Sequence, residues 1–497
     1  AIQENTLDDD SLSLFLRIGT DYISNYYEYA VPLKITNWGE SNPELVWPIE
    51  NRIQLPLELL QTVKQMRNDS MRLDSEFGYS DMYIYSDNNN IVSVTGNPNL
   101  GNVKTIMIGV RNPGSGGEKK SAEIWVNELR LSDFNEQGGW AARTQIRLRL
   151  ADFANLAFAG SMSTVGFGSL EKNISERNLN ESQRYNLTAS LELGQLFPDN
   201  ANIKFPMYLS VSESVENPQY NPLDPDILLD ASLAAYETEM ERDSIRTIVQ
   251  DYTKIKSINF TNIRKERPAG KNNSRIYDIE NFSLSYAYNE VFSRNVNTEY
   301  SIRKDYAGGL GYNFNTNPKN IKPFSKFKFL KKGKYLRLIK DFNFYYLPKQ
   351  FSFRTDFSRF YLETKMRNTS DIDVELPEMY SKLFTMSRIY NMKYDLTRSI
   401  KLNFSARNQS IVDEPYGRID TREERDSILY NIFSFGRPTE YHHNFDVRYT
   451  LPISKIPLLS WINSSINYDA SYDWRSSSLA AQGFGNTIQN NNSLKLN

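Results

Sequence analysis

In "RYNLTASLELGQLF", residues 184 to 197, apolar and polar side chains alternate strictly from Tyr185 to Leu193. Tyr185, Leu187, Ala189, Leu191 and Leu193 interleave with Asn186, Thr188, Ser190 and Glu192. Successive side chains of a strand point to opposite faces, so this period of two predicts a strand with one apolar and one polar face. The pattern returns downstream. Phe282, Leu284, Tyr286 and Tyr288 alternate with Ser283, Ser285 and Ala287, and Phe351, Phe353 and Phe357 with Ser352, Arg354 and Asp356. Ile400, Leu402, Phe404 and Ala406 alternate with Lys401, Asn403, Ser405 and Arg407. Phe445, Val447, Tyr449 and Leu451 alternate with Asp446, Arg448 and Thr450. A last run keeps Ile462, Ile466, Tyr468, Ala470, Tyr472 and Trp474 in one phase. That run is longer than a usual soluble strand and long enough to cross a bilayer at a tilt.

Strands are expected near 143–151, 155–165, 184–194, 205–214, 281–289, 297–315, 341–346, 351–367, 385–396, 400–411, 440–451 and 461–475. Short connections (152–154, 195–204, 290–296, 347–350, 397–399, 452–460) then alternate with long ones (166–183, 215–280, 316–340, 368–384, 412–439). Short turns at one end and long loops at the other mark a transmembrane barrel. The expected fold class is all-β: residues 140–497 as part of a very large antiparallel transmembrane β-barrel, with inserts near 215–280, 316–340 and 412–439. Leu187, Leu191, Leu193, Leu284, Phe353, Leu402, Phe404, Val447 and Ile466 are expected to face lipid. Arg147, Arg149, Asn186, Glu192, Arg354, Asp356, Lys401, Asp446 and Arg448 are expected to face a wet lumen, because a packed protein core would hold so many charges only at a penalty.

Residues 1–135 carry a different rhythm. "LSLFLRIG", "YYEYAVPLKI", "MYIYS", "IVSVTG", "VKTIMIGV" and "AEIWVNELRL" are short strand candidates between Asn, Gly and Pro clusters. One helix is expected in "PLELLQTVKQMRND", from Pro56, with Leu59, Leu60, Val63 and Met66 at helical spacing. This part reads as a small soluble, jelly-roll-like β-sandwich, with Trp38, Trp47 and Trp125 in its core. "RNPGSGGEKK" is glycine-rich but is followed by no helix, so it reads as a hairpin loop and not a phosphate cradle. Asp8, Asp9 and Asp10 read as a solvated turn in preference to a calcium site.

Composition refines the picture. The 497 residues exceed one ordinary domain. With 39% hydrophobic residues, no run is long and apolar enough for a membrane helix. A barrel strand shows lipid only alternate residues, so its signal is weak, and barrels gather aromatic residues at both interfaces; here 31 Tyr and 27 Phe are available. A net charge of −2 argues against general nucleic-acid binding. The absence of Cys excludes disulfides, thiolate metal sites and cysteine nucleophiles. The two His, His442 and His443, are adjacent and so point to opposite faces of a strand. Neither sits in a recognisable motif, no nucleotide-binding loop is present, and neither an enzyme nor a cofactor is expected. The chain opens on the polar "AIQENTLDDD" and closes in mid-pattern on "NNNSLKLN". A sheet edge cannot lie in hydrocarbon, so the reading expects a fragment whose remaining strands lie in further chain, closing a wide pore.

The inserts hold structure of their own. "DASLAAYETEMERDSIRTIVQDY" (230–252) reads as a helix with Leu233, Tyr236, Met240, Ile245 and Ile248 along one stripe, and "ERDSI" at 241–245 recurs at 424–428. The shared pentapeptide suggests a common helical element packed over a barrel end. Loop 316–340 is basic, with Lys319, Lys322, Lys326, Lys328, Lys331, Lys332, Lys334, Arg337 and Lys340. It reads either as a solvated loop or as a site for lipopolysaccharide phosphates or an acidic partner.

"AEIWVNELRLSDFNEQGGWAAR" (122–143) and "IKDFNFYYLPKQFSFRTDFSRFYLETKMRN" (339–368) resemble the SprA/Sov family, the giant outer-membrane translocons of the type IX secretion system, which are also linked to gliding motility. The resemblance implies a very large single-chain barrel in the outer membrane of a Gram-negative bacterium, exporting folded proteins that bear a C-terminal signal domain. It implies as partners the secreted cargo, a periplasmic plug protein and a shuttle β-barrel at a lateral opening, besides membrane lipid. The alternatives are a TonB-dependent transporter or porin for small solutes, and a structural or adhesive surface protein.

Overall fold

The computed structural model describes residues 7–74, 76–114, 119–133, 137–173, 176–268, 275–326, 337–369 and 374–497. It is mostly β, with a small sheet and a separate large antiparallel sheet. The chain divides into two compact units, one of residues 1–142, 161–183 and 215–251, the other of 143–160, 184–214 and 252–497.

In the first unit, strands β1 (Ser13–Gly19), β2 (Tyr26–Pro32), β3 (Tyr83–Asp87), β4 (Asn90–Thr95) and β5 (Thr105–Arg111) form one antiparallel sheet in the order β3-β4-β2-β1-β5. Tyr27, Tyr29 and Val31 of β2 and Val92 and Val94 of β4 pack against Leu60 and Val63 of the helix Leu57–Leu73. The second sheet that a sandwich requires is not seen among the described residues: the helix covers that face instead. The helix buries Leu60, Val63, Lys64 and Arg67, positions that fall on one face at helical spacing, so two cations share the stripe with the core. "AEIWVNELRL" is also corrected. It has no ladder partner and no strand structure, and Trp125 is exposed, as are Trp38 and Trp47; none of the three is core. Asp9 and Asp10 pair with Lys34 at 3.5 and 3.4 Å.

The other face of β2 buries a charge. The Glu28 carboxylate accepts from Arg17 Nε at 2.7 Å and from Arg111 Nη1 and Nη2 at 2.8 and 3.0 Å. Burial pushes its pKa up, but the hydrogen bonds from Arg111 and Arg17 outweigh burial and hold it below the ordinary glutamate range. A depressed folded pKa means stability that is present above the unfolded pKa and lost as pH falls through the folded one. Protection of the β2 amides against hydrogen exchange is therefore expected to fall once pH drops below about 4.5. Glu28→Gln should remove that pH dependence and cost about 1.5–3 kcal/mol at neutral pH. An unchanged acid profile in the variant would refute the assignment.

The expected 230–252 helix is two, Leu229–Ala234 and Glu239–Val249, followed by a strand from Asp251. The recurring pentapeptide has a local cause. In each copy a Thr three residues before the Glu is the helix N-cap: Thr238 with Glu241, and Thr421 with Glu424, each form a full capping box. The sequence repeat is thus a repeated helix start. Thr238→Ala and Thr421→Ala are each expected to cost about 1 kcal/mol of local stability, read as faster exchange in the first turn of Glu239–Val249 or Arg422–Phe433.

The large sheet is a meander. Strands β6 (Ala141–Leu150), β7 (Ala154–Ser163), β8 (Asn180–Glu192), β10 (Pro206–Pro218), β11 (Asp251–Lys265), β12 (Phe282–Arg294), β13 (Thr298–Asn315), β14 (Gln350–Met366), β15 (Met379–Asp395), β16 (Ile400–Ile411), β17 (Arg437–Leu451), β18 (Ser464–Arg475) and β19 (Thr487–Leu496) lie side by side in chain order, and the short β9 (Ile203–Lys204) pairs with β11. Its outer strands are β6 and β19, and among the described residues it does not close on itself. Three expectations change. Strand β11 falls inside the expected 215–280 loop. Residues 341–346 form no strand, only an isolated bridge between Phe344 and Ile321. Leu193 leaves the strand for a 3-10 turn, Leu193–Leu196. Counting ends again, connection 295–297 lies at the same end as 412–436, and 316–349 at the opposite end, so loop length is not sorted by end. Lys328, Lys331, Lys332 and Lys334 lie outside the described residues.

Candidate functional site

Partnered residues of an antiparallel ladder point to the same side of the sheet, so the registers fix the faces. One row runs Phe314–Phe351–Met392–Phe404–Phe445–Ala470 across β13 to β18. Another runs Tyr394–Leu402–Val447–Tyr468–Leu494 across β15 to β19. The intervening residues form the opposite face, with rows such as Asn391–Ser405–Asn444–Ser471–Asn491 and Lys393–Asn403–Asp446–Asp469–Ser493. Over these rows one face is apolar and aromatic and the other small and polar; toward the 295–297 end the second face also carries Ile255, Val291, Phe360, Leu362 and Leu383.

The apolar face is bounded. Toward one end of the strands, Phe282–Tyr312 and Tyr312–Phe351 ring pairs lie 5.0 and 6.0 Å apart. Toward the other, Tyr288 meets Tyr306 at 4.9 Å and Tyr441 meets Tyr472 at 6.2 Å. Between these aromatic margins the band crosses the strands obliquely. The row through Leu284 and Leu310 reaches Arg388 and Asn408 on β15 and β16, and the apolar stretch there has moved on to Met392 and Phe404. A level band on tilted strands produces such a drift. β13, β14 and β15 have 18, 17 and 17 residues, beyond the roughly 9–11 that cross a bilayer, and their excess carries charge on the same face. The neighbouring β10, β11 and β12 do the same: Lys256 pairs with Glu290 at 3.2 Å and Lys254 with Glu213 at 3.3 Å. Arg359 meets Glu414 at 2.5 Å, and Arg418 bridges Glu363 and Glu378.

Some polar-face charges sit in local pairs, Arg354 with Asp356 at 2.8 Å and Arg303 with Asp305 at 2.9 Å, and His442 Nδ1 lies 2.7 Å from Asp473; Lys401 stands opposite Arg448 and Asp446 opposite Asp469 in the ladder. His443 is on the apolar face, stacked on Tyr472 at 5.3 Å. The sequence-predicted residues distribute as follows. Leu284, Phe353, Leu402, Phe404, Val447 and Ile466 share the apolar face by register, and Arg354, Asp356, Lys401, Asp446 and Arg448 share the polar one. On β8, Tyr185 and Tyr252 both bond Glu213, which places Leu187 and Leu191 with the apolar set, and Ser210 bonds Asn186 on the other side. Glu192 ends β8, and Arg147 and Arg149 lie exposed on the outer strand β6. Lys254, Lys256 and Arg388, on the apolar face, were not anticipated.

These features define a mostly β protein with few helices, whose large sheet is a long antiparallel meander with one mainly apolar and one mainly polar face. Residues 1–233, a little under half of the chain, match the SprA_N family model, described as a motility related/secretion protein, and this match supports membership of the SprA/Sov family. No curated protein matches the chain. Among solved structures, the CymD monoaromatic hydrocarbon channel matches at 8% identity over 72% of this chain and 85% of that one, with a TM-score of 0.14, too low to carry an argument.

Proposed function

We propose that the large sheet is part of the wall of an outer-membrane protein-conducting channel, a type IX secretion translocon that exports folded proteins bearing a C-terminal signal domain and so serves secretion and gliding motility. Its partners are the cargo, a periplasmic plug protein, a shuttle β-barrel at a lateral opening, and lipid including lipopolysaccharide; it performs no chemistry of its own. The observation that carries the reading is the apolar band, edged by aromatic residues at both margins and backed by a face rich in Ser, Asn and charged residues. Hydrocarbon accepts the first face and rejects the second. Membership of a motility and secretion family supports export as the task. A wall mainly of small polar and charged groups stays hydrated and offers a passing folded protein little apolar surface to adhere to, so selectivity resides in partners, and a wide pore requires a plug at rest.

These 497 residues contain no Cys, so single cysteines placed among them report cleanly once any Cys elsewhere in the full protein is replaced. In the full protein in outer-membrane vesicles, Asn403→Cys and Asn444→Cys should react with a membrane-impermeant thiol reagent delivered through the opened pore, and Leu402→Cys and Val447→Cys should not. Single-channel conductance with the plug removed should exceed that of a general porin. Porin-sized conductance would contradict a pore for folded protein.

A further inference from the structure

Connection 412–436 does not project from the sheet. It lies back over the apolar face at the margin of the band. The helix Arg422–Phe433 seats Ile428 and Ile432 on Phe357, Phe384, Met386 and Val412. Around this seat the connection is fastened by Glu414 to Arg359, by the Pro415 carbonyl accepting from Lys382 Nζ at 3.0 Å, by Arg418 to Glu363, and by Asp413 to Arg437 at 3.1 Å. Phe357, Arg359, Glu363, Lys382, Phe384 and Met386 all belong to the apolar-face rows. The helix ends in a tight turn where Gly436 N donates to the Asn431 carbonyl at 2.8 Å. Phe435 takes φ of 67° there, a left-handed backbone that a side chain of its size rarely enters. The strained residue has a position to hold: the Arg388 guanidinium lies 4.6 Å from the centroid of its ring. Arg388 is the charge that the drifting band leaves at its margin, and Phe435 covers it.

The outward side of this strap is itself apolar. Leu429 and Phe433, one turn apart, are exposed with Tyr430, and Phe433 is 78% exposed. Helices that lie in a membrane interface show aromatic and leucine residues on one side with charges nearby, and Tyr and Phe suit the boundary between chains and headgroups. We propose that strap 412–436 is an interfacial element, which seats Leu429, Tyr430 and Phe433 among lipid headgroups and upper acyl chains while closing over Arg388. The occupant follows from continuity: the strap is seated on the margin of the band assigned to lipid, and so the inference rests on that assignment.

Fluorophores on single cysteines test both, in the full protein reconstituted into phosphatidylcholine liposomes doped with nitroxide lipids. Leu429→Cys and Phe433→Cys labels should be quenched about twofold more by a nitroxide near the headgroup than by one near the chain end. A Phe404→Cys label should show the reverse order, and a Ser405→Cys label should respond to neither. If Phe404→Cys is quenched and both strap labels are not, the strap faces water or protein and the inference is wrong. If Phe404→Cys is itself unquenched, the lipid assignment fails and takes the strap with it.

Discussion

Lys64→Ala is expected to destabilise the small-sheet unit by about 3–5 kcal/mol, the cost of breaking a buried ion pair by removing one partner. The Lys64 side chain is fully buried. Its ammonium donates to the Pro98 carbonyl at 2.9 Å and the Pro225 carbonyl at 2.5 Å, and lies 3.4 Å from Asp224 and 3.8 Å from Asp226. Asp226 in turn accepts from the Tyr27 hydroxyl at 2.9 Å and from Leu100 N at 2.7 Å. One cation therefore joins the helix, the central strand and a segment 161 residues downstream. Burial pushes the Lys64 pKa below its ordinary range and that of Asp224 above it, each only partly offset by the opposite charge. Both directions say that the charges are held at a desolvation cost. Deleting the lysine leaves the carboxylates with that cost, with only Arg67 still acting on Asp224. Lys64→Met combined with Asp226→Asn removes one charge of each sign and should cost less than Lys64→Ala alone. Hydrogen exchange of the β2 amides, compared with those of 224–234, measures both variants. A loss under about 1 kcal/mol in Lys64→Ala would show that water reaches the site.

That latch was illegible in the sequence for a physical reason. Leu60 and Val63 at helical spacing announce a core stripe, but the same stripe continues through Lys64 and Arg67, and charged residues at such positions ordinarily read as a solvated face. Only the fold brings Asp224 and Asp226 to them. The same limit governed the large sheet. Strands β12, β14, β16, β17 and β18 were legible because apolar and polar residues keep strict alternation there. β11 was not, because Lys254 and Lys256 occupy its apolar parity, where the strand rises past the band and Glu213 and Glu290 neutralise them. β19 hid behind Asn490, Asn491 and Asn492, residues that signal turns when no neighbouring strand is in view. Residues 341–346 erred the other way: a short aromatic run satisfies strand propensity, yet Phe344 finds only one bridge. Alternation thus reports which faces a strand would have. Whether a ladder partner is at hand is a property of the whole chain, and so is whether a loop such as 412–436 folds back over a face.

Phe404→Arg is expected to cost about 2–4 kcal/mol of folding free energy in a bilayer, and Ser405→Arg about 0–1 kcal/mol at most. The two positions are adjacent on β16, at the same depth, in the same ladder. Phe404 lies between Met392 and Phe445, and Ser405 between Asn391 and Asn444. Strand propensity, backbone hydrogen bonding and the charge introduced are matched, so the difference between the two costs isolates what touches each face. Hydrocarbon offers an arginine no hydrogen bond, and the guanidinium must drag water or headgroups toward the band. A hydrated wall accepts the same group with its solvation intact. Packing of the apolar face against a second protein layer in water also penalises Phe404→Arg, but that penalty persists in detergent-free buffer and does not vary with the thickness of the lipid. The bilayer reading requires that it does: as the acyl chains shorten and the interface approaches Phe404, its cost should fall toward that of Ser405→Arg. Denaturant-driven folding into liposomes of two chain lengths measures this directly, and a Phe404→Arg cost that is indifferent to lipid thickness would remove lipid from the apolar face.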